Sequence, residues 1–279
     1  MIWLLIVSVV WAFSFGLIKG RLVGVDTALV ALVRVALALL VFAPMLRPRA
    51  VSAREASMLC GIGAVQFGLM YVCYNAAFAS LAAYEVAALT IFTPVLVALF
   101  DAAMRRHVSG ATLGAAGLAV LGAGIIVINR PLSAKDWTGI LWVQGSNLCF
   151  AAGQVAWRHW RLARPWVNDG EVFGWLYAGA VLACMPFSLS ALGGVAKLTT
   201  SQMLTLAYLG IIASGVCFFL WNRGVRQSST AFLAVANNLK IPLSVVVSIA
   251  VFGERGEPKR LALGILAILA ATGLAQRKN

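Results

Sequence analysis

Asn237, Lys240, Ser244 and Ser248 punctuate an otherwise apolar stretch, AVANNLKIPLSVVVS, at spacings of three, four and four. That spacing places all four on one face of a helix. A lysine at the centre of a membrane helix costs about 2.5–3.5 kcal/mol on insertion scales, so something must compensate its charge. Three roles are open: a counter-charge for a substrate carboxylate, a proton-coupling site, or a structural tie to another polar group. Asn238 sits about 100° around the helix from Asn237 and is placed to bond a neighbouring helix. Pro242 removes one backbone hydrogen bond and frees the carbonyl of Asn238. This helix is expected to kink and to line a polar pathway.

Other chemistry-bearing residues sit in separate apolar runs. Glu85 lies about a turn inside its run, beside Tyr84; it could accept a substrate amine, carry a coupling proton, or face the positive end of its own helix dipole. It is displaced in depth from Lys240 by roughly 10 Å, which argues against a direct bridge. Trp11, Ser14 and Phe15 cluster on the first run. Tyr74 shares a face with Gln66, Met70 and Cys73; Gln154 and Trp157 share one with Asn147. Trp221 accompanies Ser214, Phe218 and Asn222. Together with Asn237, Asn238 and Lys240, these form the candidate substrate-binding set. For Trp157 and Trp221, near the ends of their runs, the competing reading is a lipid-interface belt. Arg34 reads as a structural cation, capping or pairing near the outer side, and Asp101 as the partner of Arg105 at i+4.

The elements that position these residues are membrane helices. Of 279 residues, 62% are hydrophobic and 11% charged, with mean hydropathy +0.92. A soluble domain carries about 25% charged residues. Apolar runs of about 20 residues recur throughout, each able to cross a ~30 Å hydrocarbon core. The expected fold is an all-α polytopic membrane protein with ten transmembrane helices, near 2–18, 25–45, 56–78, 83–104, 110–129, 137–157, 170–191, 203–222, 231–252 and 259–276. Alternating ten-residue segments of a β-barrel are absent. Met1–Leu17 has no charged n-region and reads as the first span, not a cleaved signal. The longest connection is Arg158–Asp169. Net charge is +13, but the basic residues are spread over short loops, which suits topology and lipid headgroups and not nucleic acid. Lysine and arginine counts favour both termini on the cytoplasmic side of the cell inner membrane. The five cysteines fall inside spans without metal-ligand spacing and read as small core residues.

The chain also repeats. YNAAFASLAAYEVAALTIFTPVLVALF (Tyr74–Phe100) and WNRGVRQSSTAFLAVANNLKIPLSVVVSIAVF (Trp221–Phe252) each open on an aromatic–Asn pair, continue through a small polar connector, and enter a helix with a central proline. Gly/Ala-rich final helices follow both. A five-span unit, 1–130 and 137–279, must thread its second copy in the opposite sense, an inverted pair with its site near the midplane.

WAFSFGLIK after the first apolar run, Arg34 in LVRVALALL, and FGERGEPKRLALGILAILAATGL at the end resemble the drug/metabolite transporter superfamily, EamA type. Gly253–Glu254 matches that family's G-E turn, whereas RRHVSG stands at the equivalent place in the first half. YEVAALTIFTP resembles the aromatic-amino-acid exporter branch. The resemblance implies ten helices in two five-helix repeats. It also implies secondary transport by alternating access of small metabolites, amino acids or related compounds, mostly outward. The expected partners are a small-molecule substrate, membrane lipids and protons as coupling ion, in a monomer or loose homodimer.

No cofactor or metal is expected, and no GxxxxGK[ST] loop for ATP occurs. The rival class, a membrane-embedded enzyme acting on lipid or isoprenoid, needs clustered His, Asp or Glu at a membrane face. His107 and His159 lie apart in basic loops. A channel would need a continuous polar lining, and the polar stripes are interrupted. Single-cysteine labelling tests the threading: Ser80 and Lys135 should react from outside, Arg54 and Arg226 from inside. Labelling of all four from one face contradicts it.

Overall fold

The computed structural model describes residues 2–104, 133–227 and 230–253, plus isolated helical positions between 114 and 125 and between 262 and 270. Predicted spans five and ten, Arg105, and the Gly253–Glu254 turn beyond Gly253 lie outside the described residues. The described elements are α1 (Ile2–Arg21), α2 (Thr27–Phe42), α3 (Ala53–Gly63), α4 (Met70–Ala77), α5 (Ala83–Leu89), α6 (Phe92–Met104), α7 (Ala134–Leu162), α8 (Asp169–Ser188), α9 (Thr200–Ala207), α10 (Cys217–Gln227) and α11 (Thr230–Ala250). π-helical segments join α3 to α4 (Ala64–Leu69) and α9 to α10 (Tyr208–Val216). Six of the resulting helical runs are long and apolar enough to cross a membrane, so the protein is a multi-pass membrane protein.

Local chemistry sets the helix starts. Asp26 accepts from the amides of Ala28 and Leu29, and Ser52 and Glu55 form a reciprocal cap at α3. Ser133 with Asp136 does the same for α7, and Thr199 with Gln202 for α9. α7 runs past the predicted end of span six because its basic tail is an interior feature. Arg161 is buried, bonded to the Asp169 carboxylate and to the carbonyls of Arg164 and Val167. The predicted loop Arg158–Asp169 therefore shortens to Ala163–Asn168. Around it, Arg164 pairs with Glu55 at 2.5 Å, Arg47 with Glu171 at 3.4 Å and His159 with Asp101 at 3.3 Å. Asp101 thus has a partner across the bundle, while its expected partner along the helix, Arg105, lies outside the described residues.

Contacts fix the relative directions. Lys19 Nζ, at the end of α1, donates to the carbonyl of Phe78 at 2.7 Å, just before α5 begins. α7 begins at the same end, where a Cβ on Gly139 would meet Ser80 and Leu81. It then follows α5 and α6, with Asn147 beside Leu89 and Thr93 and His159 beside Asp101. So α1 and α7 run in opposite senses.

α3 and α8 pack backbone to backbone. A Cβ on Gly63 would fall 1.8 Å from the Leu176 carbonyl oxygen, and one on Gly179 would fall 1.9 Å from that of Cys60. Gly63→Ala and Gly179→Ala should each destabilise the detergent-solubilised protein by about 1–3 kcal/mol, the range for overpacking. Gly61→Ala, with open space around it, should stay within about 0.5 kcal/mol in the same thermal unfolding assay.

Candidate substrate cavity

A cavity of about 530 Å³, its mouth included, lies at mid-depth among α1, α2, α4, α7, α10, α11 and the α5–α6 break. Its walls are Trp11, Ser14, Phe15, Arg34, Met70, Tyr71, Tyr74, Thr90, Thr93, Ser146, Asn147, Phe150, Phe218 and Lys240. Backbone irregularity builds much of this wall. Pro94 has no amide hydrogen, and the Thr93 amide turns to the Thr90 carbonyl instead of that of Leu89. The carbonyl of Leu89 is then free to accept from Asn147 Nδ2 at 2.9 Å, while Asn147 Oδ1 accepts from Thr93 at 3.0 Å. A broken membrane helix is tolerated because a neighbouring side chain satisfies the loosened backbone.

The π segment before α4 has a second effect. Each extra residue in a π turn rotates the following face by about 100° relative to an unbroken α-helix. Tyr71 consequently joins Met70 and Tyr74 at the cavity, whereas Cys73, expected on that face, packs toward Gly145 on α7.

Arg34 is 2% exposed and lies against the cavity. Its Nε donates to Ser214 Oγ at 3.2 Å, Nη2 to the Tyr71 hydroxyl at 3.0 Å and Nη1 to Asn75 Oδ1 at 3.5 Å. The guanidinium carbon lies 4.0 Å from the centre of the Tyr71 ring. Tyr71 and Ser214 are themselves bonded at 2.7 Å, and the Ser214 carbonyl accepts from Tyr177. Every one of these partners is neutral, and among the described residues no carboxylate pairs with Arg34. Hydrogen bonds to a charged group contribute about 1.5–3 kcal/mol each, and a desolvated cation–π contact about 2 kcal/mol. These contacts hold the ion without cancelling its charge.

Lys240 enters the same cavity from α11, 5.3 Å from the centre of the Trp11 ring. Its carbonyl accepts from Ser244 at 2.5 Å, and Ser244 and Ser248 are fully buried, so the described part of the predicted stripe faces the bundle interior. The side chains of Asn237 and Asn238 lie outside the described residues. α11 passes through Pro242 as one helix. A floor closes the cavity toward the arginine-rich end. There Trp11 donates to the Ala213 carbonyl at 2.9 Å and packs on Phe218 and Trp221, while Trp221 donates to Gln154 at 2.9 Å.

Of the predicted set, Trp11, Ser14, Phe15, Tyr74 and Lys240 line the cavity. Trp221 and Gln154 form the floor, and Trp157 lies beyond them, stacked on Trp160. Trp157 and Trp221 are 2% and 1% exposed, which excludes the lipid-belt reading. Glu85 caps α5, accepting from the Ala82 amide at 2.8 Å; neither it nor the buried Tyr84 is a lining residue. Sequence reasoning missed Arg34 and Tyr71 as site residues. The one signal for Arg34 was an arginine inside an apolar span. Among the described residues, no His, Cys, Asp and Glu cluster is arranged to hold a metal.

The profile of the EamA-like transporter family matches residues 1–128 and again 137–276. The chain is 37% identical over 273 residues to a biotin transporter of Salmonella typhimurium, covering 96% of this chain and 90% of that one. It is 38% identical over 275 residues to a probable biotin transporter of Pseudomonas aeruginosa, covering 96% and 95%. A probable terminal-alkyne amino-acid exporter of Streptantibioticus cattleyicolor is 25% identical over 285 residues, covering 96% and 90%. A solved crystal structure at 17% identity has the same fold, with TM-score 0.69 over 98% of this chain and 95% of its own.

The Arg34 network has a direct stability test. Tyr71→Phe and Ser214→Ala each leave a buried donor or acceptor unsatisfied and should cost about 1–3 kcal/mol. Because both residues bond one another and Arg34, the double variant should cost less than the sum, with a coupling of about 0.5–3 kcal/mol in a double-mutant cycle read by thermal unfolding.

Proposed function

We propose that this chain, which belongs to the EamA-like transporter family, carries biotin through the membrane by binding its carboxylate at Arg34. The protein is a transporter of small metabolites and not an enzyme. The observation that carries the substrate reading is a buried guanidinium whose partners among the described residues are all neutral. At 4 Å and an effective dielectric constant near 20, an anion gains about 4 kcal/mol beside such a charge. Biotin combines a carboxylate with an apolar tail and a compact bicyclic ring. Arg34 and Lys240 suit the first, Trp11, Phe15, Tyr74, Phe150 and Phe218 the second and third. Relatives named for biotin, at 37–38% identity over nearly the whole chain, support the same reading.

An amino acid, the class implied by the family resemblance, shares the carboxylate but adds an ammonium. The described lining holds two cations and no acid to receive it. That disfavours a zwitterion relative to a simple carboxylate. Export, also implied by the resemblance, and uptake use the same site, and the gradient decides between them. Lys240 is the titratable cation through which a proton gradient would act.

We read the architecture as ten helices in two inverted repeats, 1–130 and 137–279, rocking about the cavity. Three observations support this: two family matches in one chain, the opposite senses of α1 and α7, and a π segment in the third run of each half. Arg47, Arg49, Arg54, Arg158, Arg164 and Arg223 gather at one end of the bundle, against Lys19, Arg21, Lys135 and Lys197 at the other. The positive-inside rule makes the first end cytoplasmic, together with the N-terminus, whose Leu4 packs near Gly224.

Counterflow of labelled biotin in proteoliposomes, with and without a pH gradient, tests the assignment. Biotin should accumulate saturably, its methyl ester and free amino acids should fail to compete, and Arg34→Lys should weaken apparent affinity at least about ten-fold, or 1.4 kcal/mol. Equal competition by the neutral ester, or unaltered transport by a folded Arg34→Met protein, would overturn it.

A further inference from the structure

A second cavity opens at the Lys19 end, lined among others by Ile18, Lys19, Leu22, Asn75 and Phe78. Asn75 is 1% exposed and stands between the two spaces, lining this vestibule while accepting from Arg34 of the central cavity. A guanidinium has only donors, so the amide oxygen of Asn75 must face Arg34 and its nitrogen must point away. That nitrogen is buried and has no hydrogen-bond partner. It therefore carries the desolvation penalty of an orphaned donor, in a protein whose other cavity amide, Asn147, is bonded at both ends.

The arrangement recurs. In the second half the aromatic–Asn pair is Trp221-Asn222; Asn222 is also 1% exposed and bonds the Gln66 amide at 3.1 Å, a pairing that leaves one buried polar atom on each side chain without a partner. Asn75 borders the vestibule, and Asn222 follows Trp221 of the floor. Of the two, only Asn75 faces a partner that can do nothing but donate, so only its nitrogen is forced away from its neighbour.

We propose that Asn75 and Lys19 form a relay for the substrate carboxylate between the vestibule and Arg34. This rests on the carboxylate reading above. Lys19 places its ammonium on the vestibule wall, with the Phe78 carbonyl as its one bonded partner among the described residues. Asp26, in the loop that rims this space, is turned to the amides of α2. A carboxylate entering here meets a cation first. Next it meets an amide hydrogen in need of an acceptor, on a side chain already touching the guanidinium beyond it. Tyr74, adjacent to Asn75 and packed edge-on against Phe15 and Phe78, is the ring that must swing for the tail to follow.

A relay touches the ligand during passage and not at rest, so it sets rates and leaves equilibrium affinity alone. Stopped-flow tryptophan fluorescence of the full chain in nanodiscs, with biotin as the probe, reads both. Lys19→Met should slow association and dissociation together by about five-fold or more, with Kd held within about two-fold, and Lys19→Arg should restore the rates; Asn75→Ser, which also removes a contact to Arg34, should slow association by a similar factor. Arg34→Lys should instead raise Kd. Unchanged association in both Lys19→Met and Asn75→Ser, or a raised Kd with unchanged association in Lys19→Met, would overturn the relay while leaving the Arg34 site standing. Absence of any biotin signal in the unaltered protein would overturn the substrate reading and the relay with it.

Discussion

A guanidinium held in the middle of a membrane bundle by neutral groups is the constraint around which this structure is organised. Removing such an ion from water costs several kcal/mol, even after relaxation. Pairing with a carboxylate would offset that cost and also silence the charge. Here Tyr71, Ser214 and Asn75 supply oxygen atoms, and the Tyr71 ring supplies a π face. The positive charge survives into the cavity. On the proposed carboxylate reading this compromise is what the site requires, because a permanently neutralised arginine would offer nothing to an incoming anion, and an unsupported one would not stay buried.

The supports come from irregular backbone. Ser214 lies in the π segment between α9 and α10, and Tyr71 follows the π segment between α3 and α4. At the opposite wall the break at Thr90–Ile91, forced by Pro94, frees a carbonyl for Asn147 and brings two threonines to the cavity. Irregular backbone at membrane depth persists where it lines a cavity or is buried in protein, and both conditions are met here. The tight glycine seam between α3 and α8 brings the two halves close enough for these parts to meet.

Much of the fold was legible in the sequence because hydropathy runs and short charged connections are local properties. The Lys240 stripe was legible for the same reason: its residues are three or four apart on one helix, and Ser244 and Ser248 are indeed buried with it. Arg34 was not legible as a site residue because its partners lie 37, 41 and 180 residues away, and only folding brings them together. The π segments were equally invisible, so a helical wheel placed Cys73 where Tyr71 stands. Trp157 and Trp221 were ambiguous for a different reason. A tryptophan near a span end satisfies both belt and core patterns, and their burial depends on how far α7 and α10 extend beyond the hydrocarbon. Arg161 hid in the same way, its ionic partner Asp169 lying across what reads as a loop.

The most direct measurement is an experimental structure of the protein with biotin bound in lipid nanodiscs. The account predicts a ligand between Trp11, Tyr74 and Phe218 with its carboxylate oxygens about 2.7–2.9 Å from the Arg34 guanidinium nitrogens. A ligand seated elsewhere, or one whose carboxylate points away from Arg34 while its ring occupies that wall, would contradict it.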